Sequence, residues 1–82
     1  MRLSGWEKAL LAEAKKAGMF CLPSESKVEF FSSQTGRMLL TWFRDSHKWT
    51  TPQRDKGYAR SPFGALHAAI AIDRNRSREV RR

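Results

Sequence analysis

The chain has 82 residues, of which 40% are apolar and 11% aromatic, and a formal net charge of +8. This suffices for one small domain around a single thin core and leaves nothing for a second. The one cysteine, Cys21, excludes an intramolecular disulfide and fits a reducing compartment. Arg2 has no apolar h-region behind it, and the longest strongly apolar run, residues 68–72, is far too short to span a bilayer. A cytoplasmic protein without a membrane partner is therefore expected.

The first element reads as a helix. Ser4 and Glu7 have the spacing of a capping box, in which the serine oxygen accepts from the Glu7 N–H and the glutamate accepts from the Ser4 N–H. Trp6, Leu10, Ala14 and Ala17 then recur on one face, with Glu7, Lys8, Lys15 and Lys16 elsewhere. Gly18 suits the left-handed position that closes a helix. Residues 19–26 read as a bridging segment in which Pro23 keeps the helix from resuming.

Residues 27–32 alternate, with Val28 and Phe30 on one face and Glu29 and Phe31 on the other. A turn over residues 33–36 ends in Gly36, and residues 37–44 follow as a second strand, giving a hairpin. Here Met38, Leu40 and Trp42 are expected on one face and Leu39, Thr41 and Phe43 on the other. Residues 45–48 read as a second turn. Trp49, Thr50 and Thr51 then form a short third strand that Pro52 closes, which suits a sheet edge. Residues 53–60 are polar and basic and read as a loop.

Ser61 followed by Pro62 has the form of an N-cap and first helical residue. Phe63, Leu66, Ala69, Ile70 and Ile72 mark the second helix as largely buried. The fold class expected is α+β: a three-stranded antiparallel meander with both helices on one face, in the order α-β-β-β-α, and the other face left to solvent or a partner. Residues 1–72 make the domain, and residues 73–82 an Arg-rich C-terminal tail expected to be flexible.

Charge is placed unevenly along this frame. Eleven of the sixteen Lys and Arg residues follow Gly36, with only four of the eight acids, so residues 37–82 carry +7. One patch comprises Arg37, Arg44, Lys48, Arg54, Lys56 and Arg60, interleaved with Trp42, Trp49 and Tyr58. A second is the tail with Arg74, Arg76, Arg78, Arg81 and Arg82. Clustered cations attract a polyanion Coulombically, and exposed rings can stack on bases, so nucleic acid, RNA or DNA, is the expected partner. The expected binding residues are Arg37, Arg44, Lys48, Trp49, Arg54, Lys56 and Arg60, with Arg74, Arg76 and Arg78 as an auxiliary arm. Ser61 would add the unpaired N–H groups of a helix start.

Other chemistry has less to stand on. Cys21, His47 and His67 have no metal-ligand spacing, no cofactor motif is visible, and no nucleophile, base and carboxylate fall in a catalytic order. Cys21 reads as a small buried side chain and His67 as a partly buried mid-helix residue. His47, in a turn beside Lys48 and near Arg44, is the one side chain placed for phosphate contact or general acid and base work.

The α-β-β-β-α order, with Ser61, Ala65 and Ala69 at the serine and alanine positions of the second helix, resembles the double-stranded RNA-binding domain at the level of topology. The family's two lysine positions here hold Pro62 and Phe63, and a third basic position holds Leu66. The resemblance thus implies the fold, with the phosphate-binding lysines of helix 2 absent. The same fold is similar to that of HicA-type toxin ribonucleases, which implies an enzymic alternative using His47. A third alternative is a phage-type inhibitor or adaptor that docks on an acidic protein surface through Phe31, Leu39 and Phe43.

Overall fold

The computed structural model describes residues 5–80, with side chains through Asn75. The pairing of Ser4 with Glu7 therefore lies outside the described residues, as do Arg81 and Arg82. Two helices and five strands follow in the order α1 (Gly5–Lys16), β1 (Met19–Pro23), β2 (Lys27–Ser32), β3 (Met38–Phe43), β4 (Lys48–Thr50), β5 (Lys56–Tyr58) and α2 (Pro62–Val80). The strands form one antiparallel sheet in sequence order, β1-β2-β3-β4-β5. The α+β class with two helices and an antiparallel sheet is as expected, but the sheet has five strands rather than three.

Both additional strands occupy segments that carry no alternating pattern. In β1, Met19 and Cys21 are buried and Phe20 and Leu22 exposed, so both faces are apolar and composition hides the pleat. Helix α1 ends directly into this strand: Gly18 takes φ +77°, a left-handed value that glycine adopts without a Cβ penalty. Strand β5 arises because the chain reverses tightly after β4. Thr51 N–H donates to the Asp55 carbonyl at 3.0 Å, Asp55 N–H donates to the Thr51 hydroxyl at 3.1 Å, and Arg54 takes φ +73°. The expected edge strand β4 is consequently internal, and Pro52 lies in the turn rather than at a sheet margin.

The covered face is built from Met19, Cys21, Val28, Phe30, Leu40 and Trp42, joined by Leu10 and Ala14 of α1 and by Ala65, Leu66 and Ala69 of α2 in one buried cluster. Both helices lie on this face, as expected. Alanines at 14, 65 and 69 let the helix backbones approach the sheet closely. Trp42 is fixed at the end of the cluster by its Nε1–H, which donates to the Ala59 carbonyl at 2.9 Å.

Strand β3 departs from the expected alternation. Phe30 pairs with Leu40, but Phe31 pairs with Met38, so Leu39 is an extra residue in a β-bulge. Leu39 is 1% exposed and belongs to the core, whereas Met38 joins Phe31 on the opposite face. This corrects the grouping of Met38 with Leu40 and Trp42, and it removes Leu39 from the exposed anchors of a docking surface.

Helix α2 runs on through residues 73–80, the segment read as a tail. Arg74 is exposed on it, and the side chains of Arg76 and Arg78 lie outside the described part. His67 is exposed rather than partly buried. No helix among the described residues is long and apolar enough to cross a membrane.

Candidate nucleic-acid interface

The pleat sends alternate residues of each strand to the face that no helix covers. By the pairing register this face carries Phe20 and Leu22 from β1, Lys27, Glu29 and Phe31 from β2, Met38, Thr41 and Phe43 from β3, Lys48 and Thr50 from β4, and Lys56 and Tyr58 from β5. Its two halves differ. Toward β1, the rings of Phe20 and Phe31 stack at 5.0 Å and 9°, beside Leu22 and Met38. Toward β5 stand Lys48, Lys56 and Tyr58. Glu29 is the one acid on this face among the described strand residues. Among the described residues none of Lys27, Lys48 and Lys56 takes part in an ion pair, so their charge is uncompensated there by close contacts.

The expected binding residues do not form one patch. Arg37 follows the β2–β3 turn and Arg54 lies in the β4–β5 turn, both at one end of the sheet and both exposed. Arg44, Lys48 and Arg60 lie toward the other end, with Lys56 on the face between. Arg44 is already engaged: its guanidinium carbon sits 5.1 Å from the centroid of the Trp6 ring, and its Nη1 donates to the Ser24 carbonyl at 2.6 Å. It ties α1 to the β1–β2 turn. Trp49 is half-buried, packed against the core with its indole over Gly57. Lys48, Lys56 and Arg60 are exposed, and Arg74 lies farther along α2.

At the Lys48 end, three rings form a ladder. His47 stacks on Trp42 with centroids 5.7 Å apart and planes 5° from parallel, and Tyr58 meets His47 edge-on at 6.1 Å and 75°. His47 takes φ +61°, its N–H donates to the Phe43 carbonyl and its carbonyl accepts from the Ala59 N–H, each at 2.9 Å. The imidazole is thus a spacer between a buried ring and an exposed one. Next to the ladder α2 begins: Gly64 N–H donates to the Ser61 hydroxyl at 3.4 Å, and no acid lies in the first turn. A Cβ added to Gly64 would come within 3.2 Å of the Ala59 Cβ, so this glycine lets the helix start close against the end of β5.

Other cavities and clusters lie away from this region. A groove of about 450 Å³ between the helices is lined by Glu13, Lys16, Phe63, His67 and Ile70 among others. Among the described residues no group of three His, Cys, Asp or Glu side chains could hold a metal ion. The Cys21 thiol is buried, and burial pushes its pKa up to about 11, which keeps it protonated and unreactive at neutral pH.

Three residues of this face are missing from the expected nucleic-acid-binding set, although Tyr58 reads as a ring within the basic patch and Phe43 as an anchor for a protein partner. Lys27 falls in the nearly neutral first half of the chain, Phe43 has the look of a core strand aromatic, and Tyr58 lies in a segment read as loop. Only the strand register assigns them to the same surface as Lys48. The chain matches no protein-family model, no curated protein and no solved structure.

Proposed function

We propose that the protein binds nucleic acid, largely without sequence preference, through the uncovered face of its sheet and the basic turns at its ends. The observation that carries this reading is the coincidence of unpaired lysines with solvent-exposed rings on a face left bare by both helices, in a chain of net charge +8. Lysines supply Coulombic phosphate contacts, which depend on salt, and rings supply base contacts that tolerate any sequence. Arg60 beside the start of α2, and Arg37 and Arg54 at the far end, extend the positive surface. Titration of labelled DNA and RNA, single-stranded and duplex, at two salt concentrations tests the reading. Binding that weakens steeply with salt is expected, and no binding at low salt overturns it.

A second reading has its own observation. Phe20 and Leu22 on β1 are 40% and 52% exposed, an apolar patch of the kind that anchors a partner protein. An acidic protein docking on this half of the face would survive nuclease treatment in a pull-down. Loss of every partner on that treatment counts against it.

A further inference from the structure

One row of the uncovered face alternates cations and rings. Lys27 on β2 is opposite Phe43 on β3. Trp42 is opposite Trp49, so one step further along the same register Lys48 on β4 stands beside Phe43. Lys48 in turn is opposite Tyr58 on β5. Four successive strands therefore present Lys, Phe, Lys, Tyr at one level. With strands about 4.8 Å apart, the row spans about 14 Å, and its two rings stand about 10 Å apart with Lys48 between them. Phe43 is 37% and Tyr58 62% exposed.

The outer ring of the row is held in place before any ligand arrives. Tyr58 rests edge-on against His47, His47 stacks on Trp42, and Trp42 is locked by its hydrogen bond to Ala59. A ring supported in this way loses little freedom when a second planar group covers it. Charge favours an anionic carrier: Lys27 and Lys48 in the row, and Lys56 in the next, share the strand face with one acid, Glu29, while Glu25 and Asp45 lie in the turns at the end of the row. The occupant is a polyanion that also offers flat apolar faces.

Duplex nucleic acid meets the first requirement only, because its bases are stacked on one another and present phosphates outward. A single strand meets both, with a phosphate and an accessible base face at every nucleotide. We propose that this row is a binding site for single-stranded nucleic acid, which crosses the strands with bases stacked on Phe43 and Tyr58 and phosphates on Lys27 and Lys48. The proposal deepens the nucleic-acid reading and rests on it. The groups recognised, base faces and phosphates, are common to RNA and DNA, so both bind.

Fluorescence anisotropy of the full chain with labelled oligo-U, oligo-dT and a mixed duplex, each about 12 nucleotides per strand, tests it at about 50 mM salt. Single strands should bind at least about tenfold more tightly than the duplex. Phe43→Ala and Tyr58→Ala should each weaken single-strand binding by about 5- to 100-fold and leave duplex binding within about twofold. Tyr58→Phe, which keeps the ring, should retain wild-type affinity, and Tyr58→Leu serves in place of the alanine variant should the latter unfold. Equal affinity for duplex and single strand, with the ring variants neutral, overturns the single-strand proposal and leaves the nucleic-acid reading standing. No binding of any oligomer overturns both.

Discussion

Trp49 occupies the space that a side chain at Gly57 would need. The two residues are paired across β4 and β5, and a Cβ built on Gly57 would overlap Cζ2 and Cε2 of the indole. Glycine weakens a strand in general, yet here it is the residue that lets β5 close over an internal tryptophan. Gly57→Ala should lower stability by about 1–3 kcal/mol through overpacking, which corresponds to a fall of at least about 4 °C in thermal midpoint for a domain of this size. In the double variant Trp49→Leu, Gly57→Ala, the two losses should sum to more than the measured effect, since the smaller side chain vacates the contested space. Thermal unfolding of the three variants checks this.

Arg44 and Lys48 should separate by function although they are four residues apart. Arg44→Ala removes the contact with Trp6 and the hydrogen bond to Ser24, and should cost about 1–2 kcal/mol in urea unfolding. At low salt it should change oligonucleotide affinity by less than about twofold. Lys48→Gln should do the reverse, with stability unchanged and affinity reduced.

The salt dependence of binding should count the lysines in contact. For a single strand, each phosphate contact contributes a slope of about −0.7 in the logarithm of affinity against the logarithm of salt. The double variant Lys48→Gln, Lys56→Gln should make that slope shallower by about 1.4. Arg37→Gln, at the other end of the sheet, should change it less.

Cys21 links the core to alkaline pH. Its thiol ionises near 9.0 in the unfolded chain and is pushed up to about 11 by burial in the folded one. Below pH 9.0 both states hold the proton and stability does not depend on this group. Between those values the unfolded chain releases the proton and the folded one retains it, so folding loses stability as pH rises, by up to about 2–3 kcal/mol. The stability difference between wild type and Cys21→Ala should therefore shrink over this interval in urea unfolding at stepped pH. A thiol reagent should label Cys21 at neutral pH only after denaturation.

Legibility in the sequence followed periodicity. The helix over residues 5–16 and the strand over residues 27–32 have clean apolar faces, and the structure places them where the pattern does. Residues 19–23 are apolar on both sides, so their period of two leaves no trace in the sequence, where the segment reads as a bridge. Residues 56–58 combine a lysine, a glycine and a tyrosine; what makes them a strand is the turn through Arg54 and the fit of Gly57 under Trp49, a tertiary cause with no local signal. The candidate site suffered the same loss. Clustering in sequence grouped Arg37 with Arg44 and Arg54, which the fold divides between two ends of the sheet or commits to packing, whereas Lys27 and Tyr58 meet only through pairing across four strands.

The bulge at Leu39 sets how the rest of β3 is partitioned. Before it, Met38 lies on the uncovered face; after it, Leu40 and Trp42 lie inside and Thr41 and Phe43 outside. The strand is thus written in two reading frames joined at one buried leucine. Ironing out the bulge with Leu39 still in the chain would force one half of β3 out of frame, setting either Met38 against the core or Leu40 and Trp42 against water. The outward presentation of Phe43 is in this sense decided on the other side of the sheet, by a side chain that no ligand could reach.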